Sequence, residues 1–270
     1  MNPTVIRPSV SPKTITKVTR LFNGTIGDIL GELLQNSRRA GASRIDIACC
    51  ADQDAARLTL VDDGTGVAHP QTMIALGDSG WSQHIHEAED PAGMGVFSLA
   101  GKETRISSRH TDADIGWSVH VPADGWTGAQ DIAVQPLARP IGTTISFLMP
   151  GVSEQTTERI LREVAKFYPL PVFFNGTEMP REDFLAKAIY IAEWNGSQIG
   201  VFEGREYHQD PTTNFHGMVL TRKLASVSES LGGKTYHARL DIGATPGLAL
   251  VLPARKEFVE NAAFAALQAA

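Results

Sequence analysis

The sequence predicts an α+β protein, and three observations carry that prediction. Residues 26–40 place apolar side chains at helical spacing and end at Gly41. Residues 44–49 and 56–61 alternate polar and apolar side chains about an acidic connection, as a hairpin with one buried face does. Further strand-like runs then mix with a second helical stretch at 153–167, and two of the connections are Asn-Gly. With 270 residues, 42% hydrophobic and 20% charged, the chain can bury one large core or two modest ones, and two domains are expected.

Taken in order, residues 1–17 form a polar, proline-dotted arm without an apolar core segment of the secretory kind. The helix at 26–40 has Ile29, Leu30, Leu33 and Leu34 on one side, and Gly41 suits its C-terminal cap. The strand at 56–61 empties into Asp62-Asp63-Gly64-Thr65-Gly66, where two glycines allow a tight turn and close approach of a flat ligand. Residues 67–93 form a long connection rich in Gly, His, Ser and acidic residues, with a short helix near 70–76. A short helix is expected at 94–100, and strands at 104–109, 116–121 and 143–149. After the helix at 153–167 come hairpins about Asn175-Gly176 and Asn195-Gly196, strands at 217–221, 235–241 and 248–252, and a closing alanine-rich helix from about residue 256.

Composition narrows the function classes. A net charge of −6 and a pI near 5.7 argue against a surface built mainly to grip nucleic-acid phosphates, without excluding a role linked to DNA. Cys49 and Cys50 are strand neighbours that point to opposite faces, so neither a disulfide framework nor a thiolate metal site is indicated, and a reducing cytoplasm fits. No run approaches the roughly 20 apolar residues of a membrane span. His84 and His86 lack a third ligand at recognisable spacing.

Chemistry gathers in four segments. Glu32 and Asn36 stand four residues apart and project together from an otherwise apolar helix. An Asn oxygen suits Mg²⁺, which completes its shell with water and substrate phosphates, and a carboxylate beside it could take a proton from attacking water. The second segment is the Asp62–Gly66 turn. In the third, Gly93 and Gly95 precede a short helix whose first N–H groups could receive phosphate. The fourth, Gly142-Thr143, enters a core strand with a hydroxyl able to hold a bridging water.

In this order the four segments resemble the GHKL superfamily of ATP-binding proteins, which includes gyrase B subunits, heat-shock chaperones of the ninety-kilodalton class, histidine kinases and MutL, over roughly residues 20–150. The resemblance implies a Bergerat-type α/β sandwich, a mixed sheet with helices on one face, spanning 1–185. A smaller, transducer-like α+β domain would span 186–270. It implies ATP and Mg²⁺ as cofactors, Glu32 as general base and Asn36 as the Mg²⁺ ligand. Asp62 would accept the adenine amino hydrogen, with Gly64 in its turn and Gly66 making room for the base. Gly93, Met94, Gly95 and Val96 would form the phosphate loop, and Thr143 would support adenine through water. Lys256, with Arg255 beside it, resembles the second-domain lysine that reaches the γ-phosphate. Residues 67–92 would form a lid bending at Gly77, Ser79 and Gly80, whose closure on ATP accompanies homodimerisation. No motif names the protein client or nucleic acid on which such a latch acts. The segment 36–47 is most similar to the MutL and topoisomerase VI form, whereas 93–98 is nearer the chaperone form. Arg39 stands where many relatives have an acidic residue, the GFRGEAL-like run of MutL is absent, and no phosphoacceptor-histidine helix precedes Asn36. Two rival readings are a nucleotide-binding interaction module without hydrolysis and a fragment of a DNA-handling ATPase of the MutL or topoisomerase type; the presence of Glu32 favours the enzyme.

Overall fold

A computed structural model describes residues 25–52, 54–75, 81, 95–204, 210–221, 224, 226–228, 233–243, 247–251 and 257–269. Helix α1 (Ile26–Arg39) begins at a capping box: Thr25 Oγ1 accepts from Asp28 N–H at 3.3 Å, and Asp28 Oδ2 accepts from Thr25 N–H at 2.7 Å. It stops at Ala40 because Gly41 takes the left-handed conformation, φ 70°. Strands β1 (Ile45–Asp52) and β2 (Ala55–Asp62) form the expected hairpin. After helix α2 (Gln71–Ile74) and a 3₁₀ turn at Gly95–Leu99 come β3 (Thr104–Arg109), β4 (Gly116–Val121), β5 (Val134–Leu137) and β6 (Gly142–Pro150). Helix α3 (Glu154–Ala165), capped by Ser153, leads to β7 (Val172–Phe174) and β8 (Thr177–Glu178).

These eight strands form one sheet in the order β5-β4-β3-β6-β2-β1-β7-β8, antiparallel throughout except for the parallel β1–β7 pair. Its alternation buries one face: Ile45, Ile47, Leu58, Leu60, Ile106, Ile145 and Phe147 meet Ile29, Leu30, Leu33 and Leu34 of α1 and Leu161 of α3 in a single core. Burying a side chain of this size contributes about 1.5–3 kcal/mol, so that core fixes α1 against the sheet. The fold is thus the α+β class expected, with α1 and α3 on one face of a mixed sheet.

A second sheet follows, built from β9 (Tyr190–Trp194), β10 (Ser197–Glu203), β11 (Thr213–Phe215), β12 (Met218–Leu220), β13 (Ser226–Ser228) and β14 (Thr235–Ile242), in the order β12-β11-β14-β10-β9 with β13 also on β14. Phe215, Leu240, Ile242 and Leu250 pack there with Phe264 and Leu267 of helix α4 (Ala262–Ala269). Phe184 and Leu185 pack on Phe202 of this sheet, with Phe167 against them.

The short helix expected at 94–100 is a 3₁₀ turn at Gly95–Leu99. Two expectations are corrected. Of the strand expected at 248–252, the described residues 248–251 show only a bridge between Leu250 and Phe258, with Leu250 held in an apolar cluster rather than a ladder. The last helix begins at Ala262, not near 256. Strands β5, β11 and β13 had not been read from the sequence: β5 carries Pro136 and lies exposed at a sheet edge, where proline is tolerated, and the others are three residues long.

Candidate functional site

The site is assembled where β2 ends. Register places Asp62 directly across from Thr143 at the start of β6. Asp62 is 6% exposed, and its carboxylate collects three donors: Ser37 Oγ at 3.1 Å on Oδ2, and the N–H groups of Gly64 (3.1 Å) and Thr143 (3.3 Å) on Oδ1. Burial raises the Asp62 carboxyl above its ordinary range, while these donors oppose the rise. Ser37 Oγ also lies 3.2 Å from the Leu33 carbonyl, so the hydroxyl links α1 to the strand end.

Glycine geometry keeps this corner closed. A Cβ on Gly64 would stand 2.8 Å from Ala40, whose carbonyl accepts from Thr65 N–H at 2.8 Å. Gly66 has φ 71° and a Cβ there would overlap the Arg109 carbonyl oxygen; Gly142 has φ 117° and a Cβ would overlap the Asp62 carbonyl oxygen. The close approach at Gly66 is therefore to the end of β3. Beneath the corner, Ser108 Oγ lies 2.9 Å from the Gly142 carbonyl and 3.1 Å from Thr143 Oγ1, and accepts from Val67 N–H at 2.8 Å. Arg139 donates to the Ser107 carbonyl and to Thr144 Oγ1 (3.0 Å), beside this strand entry.

Asp63 faces the other way. Partial burial pushes its carboxyl up, but donors from the Ser43 hydroxyl (2.5 Å) and the Ser43 and Arg44 N–H groups (2.7 and 3.0 Å) outweigh that and hold it below the usual carboxylate range. It closes the loop between α1 and β1.

Glu32 and Asn36 lie one turn apart on α1, both half-buried, and Arg39 Nη1 donates to Asn36 Oδ1 at 3.4 Å, a long contact. The structure thus brings Glu32, Asn36, Asp62, Gly64, Gly66 and Thr143 to α1 and the adjoining strand ends. Gly95 opens the 3₁₀ turn, and Val96 packs on the core. Gly93, Met94 and Lys256, with Arg255, Gly77, Ser79, Gly80, His84 and His86, lie outside the described residues. Among the described residues no group of three or more His, Cys, Asp or Glu converges as a metal site, and no helix is long and apolar enough to cross a membrane. Sequence reasoning missed Ser37, Ser108 and Gln35. All three are at most 2% exposed; Ser37 and Ser108 left a signal, a polar residue at a position whose periodicity faces the core, whereas Gln35 lies on the side of α1 away from the apolar stripe and left none.

No family model matches the chain. Its sequence is similar to DNA mismatch repair proteins MutL: 32% identical over 129 residues to that of Pseudomonas fluorescens, covering 43% of this chain and 19% of the relative, and 34% over 122 residues to that of Azotobacter vinelandii, covering 42% and 18%. The match spans about a fifth of the length of these relatives. A structure of the Aquifex aeolicus MutL ATPase domain complexed with ADP is similar over 74% of this chain and 84% of its own, with 17% identity and a TM-score of 0.45. Of the motif residues, Asp62, Gly64, Gly66 and Thr143 meet at one corner of the first sheet beside α1. The sequence matches support the resemblance of the chain to the GHKL superfamily of ATP-binding proteins.

Proposed function

We propose that this chain binds ATP with Mg²⁺ at the α1–β2 corner and hydrolyses it slowly, using nucleotide as a conformational latch. The observation that carries the reading is Asp62. An ionised carboxylate offers about four acceptor positions, and protein donors among the described residues fill three. An exocyclic amine is the complement of the fourth, and a buried, pre-oriented acceptor rejects a base that presents an acceptor there. Thr143 and Ser108 lie next to it with hydroxyls for a bridging water.

Glu32 and Asn36 fit the phosphate end. Asn36 Oδ1 is a hard oxygen donor whose contact with Arg39 is long enough to exchange. Asn36 would hold Mg²⁺, which when bound would supply charge neutralisation on the phosphates. Glu32, one turn away on the same face, takes the proton of the attacking water and holds it during phosphate departure. A charged group on α1 is positioned by the helix packing on the sheet, so its geometry does not depend on a loop. The residues 67–92 as lid, ATP-linked homodimerisation, the division at 185/186 with a transducer-like second unit, and the contact of Lys256 with the γ-phosphate belong to the same reading. The MutL relatives are mismatch repair proteins; a role in handling DNA through further domains is a second reading, favoured by those relatives alone.

Calorimetric titration with the β,γ-imido analogue of ATP, with and without Mg²⁺, tests this, with phosphate release from ATP assayed on the same samples of the unmodified chain and Glu32→Ala. Mg²⁺-dependent binding in both, with release only in the unmodified chain, is expected. Binding without release in the unmodified chain would replace the enzyme by a nucleotide-operated interaction module. No binding would remove the reading altogether.

A further inference from the structure

The strands β11 and β12 are joined by a two-residue turn, His216-Gly217, whose φ angles are both positive, 53° and 95°. Such a turn matches strand twist but costs a non-glycine residue conformational energy, so it is held by its surroundings. Here Asn214 holds it: its Oδ1 accepts from Gly217 N–H at 2.8 Å, while its Nδ2 donates to Asp241 Oδ1 at 2.8 Å, across the register of β11 and β14. The tip of this hairpin does not end in solvent. It reaches α1, where Gln35 Nε2 donates to the His216 carbonyl at 2.7 Å, with Arg38 Nε donating to Gln35 Oε1 at 3.2 Å. Gly217 seats on Tyr168; a Cβ there would stand 2.8 Å from the ring. Tyr168 Oη in turn donates to the Leu34 carbonyl of α1 at 2.5 Å.

Four consecutive residues of α1 therefore serve two sites. Leu34 and Gln35 are tied to the second sheet, directly or through Tyr168, while Asn36 and Ser37 face the proposed nucleotide corner. Gln35 is 1% exposed and Tyr168 is 2% exposed. A buried amide donor that loses its partner is costly, so the junction is either made or broken, with little in between. Beside it lies a cleft of about 550 Å³ lined by Phe167, Tyr168, Asn214, His216 and Asp241.

We propose that the His216–Gly217 turn, acting through Gln35 and Tyr168, is a positioning element for the nucleotide helix: its docking sets the placement of Asn36 and Ser37, and nucleotide at that corner in return tightens the second sheet. This rests on the nucleotide reading given above. Because coupling is reciprocal, loosening the turn weakens nucleotide by the factor through which nucleotide tightens the turn.

The test is amide hydrogen exchange on the whole chain, ligand-free and with Mg²⁺ and the β,γ-imido analogue of ATP, in the unmodified protein, Gln35→Glu and Tyr168→Phe. Gln35→Glu replaces the donor by an acceptor of the same shape; Tyr168→Phe removes one hydroxyl. Analogue is expected to slow exchange at 211–220 in the unmodified chain. Gln35→Glu is expected to abolish that slowing and weaken the analogue by roughly fivefold or more. A purely structural contact would lower the melting temperature in the variants and leave the analogue's effect on 211–220 intact, which would overturn the proposal. If the unmodified chain binds no analogue, the nucleotide reading fails and this proposal falls with it; binding of analogue without slowed exchange at 211–220 refutes the proposal and leaves the nucleotide reading standing.

Discussion

Replacing Asp62 with Asn separates recognition from folding, because the side chain keeps its shape and loses only charge and one acceptor. Oδ1 still receives the Gly64 and Thr143 N–H groups at 3.1 and 3.3 Å, and the new Nδ2 lies where Ser37 Oγ, 3.1 Å away, can accept instead of donate. The fold is therefore expected to survive with a change of about 1 kcal/mol. Binding is another matter. The adenine amino group would meet a donor in place of a charged acceptor, and a hydrogen bond to a charged group is worth about 1.5–3 kcal/mol, or roughly 10- to 150-fold in Kd. The pH dependence has a definite sign. Burial raises Asp62 in the folded state, so the folded protein holds that proton more tightly than the unfolded chain. Its contribution to stability is full below the unfolded carboxyl pKa and is lost as pH rises through the raised folded value. Asp62→Asn lacks that loss, so urea midpoints of the variant should gain on those of the unmodified chain as pH rises across this window. Calorimetry with the ATP analogue and urea unfolding over the acid range read the two effects separately. Analogue binding by Asp62→Asn within twofold of the unmodified chain would refute Asp62 as the adenine acceptor. A stability difference independent of pH would refute the account of its burial.

Three further outcomes follow from the geometry. Gly142→Ala forces a side chain into φ 117° and against the Asp62 carbonyl, so urea denaturation should register a loss of about 2–5 kcal/mol. Asp63 is held below the usual carboxylate range by the Ser43 and Arg44 donors against its partial burial, so its stabilisation is present above the unfolded carboxyl pKa and lost as pH falls through the folded one; Asp63→Asn should cost under about 1 kcal/mol near neutrality, since the pair is largely exposed, and nothing in strong acid. Cys50 is exposed and Cys49 is buried with its thiol pushed up by burial, so a disulfide thiol reagent should label one site rapidly in the native chain and a second only on unfolding.

The sequence already contained whatever depends on neighbours within one turn or one pleat. The stripe Ile29, Leu30, Leu33, Leu34 made α1 a one-sided helix, and Gly41 ended it. Alternation in 44–49 and 56–61 assigned the buried face of the first hairpin, and Asn175-Gly176 and Asn195-Gly196 marked turns whose Asn residues do adopt positive φ. The order of the four motifs was enough to show the resemblance to the superfamily. Only the tertiary structure decided which distant residues complete the site. Thr143 N–H reaches Asp62 across 81 positions because β6 lies between β3 and β2 in one register. Ser37 and Ser108 looked like interruptions of apolar faces until the sheet and helix closed around Asp62. Gln35 finds the His216 carbonyl across 181 positions, through a hairpin whose first strand is three residues long. The physical reason is the same in each case. Periodicity encodes which side of an element avoids water, whereas a buried polar group is tolerable only with a partner, and no local pattern of residues names a partner that packing brings from elsewhere in the chain.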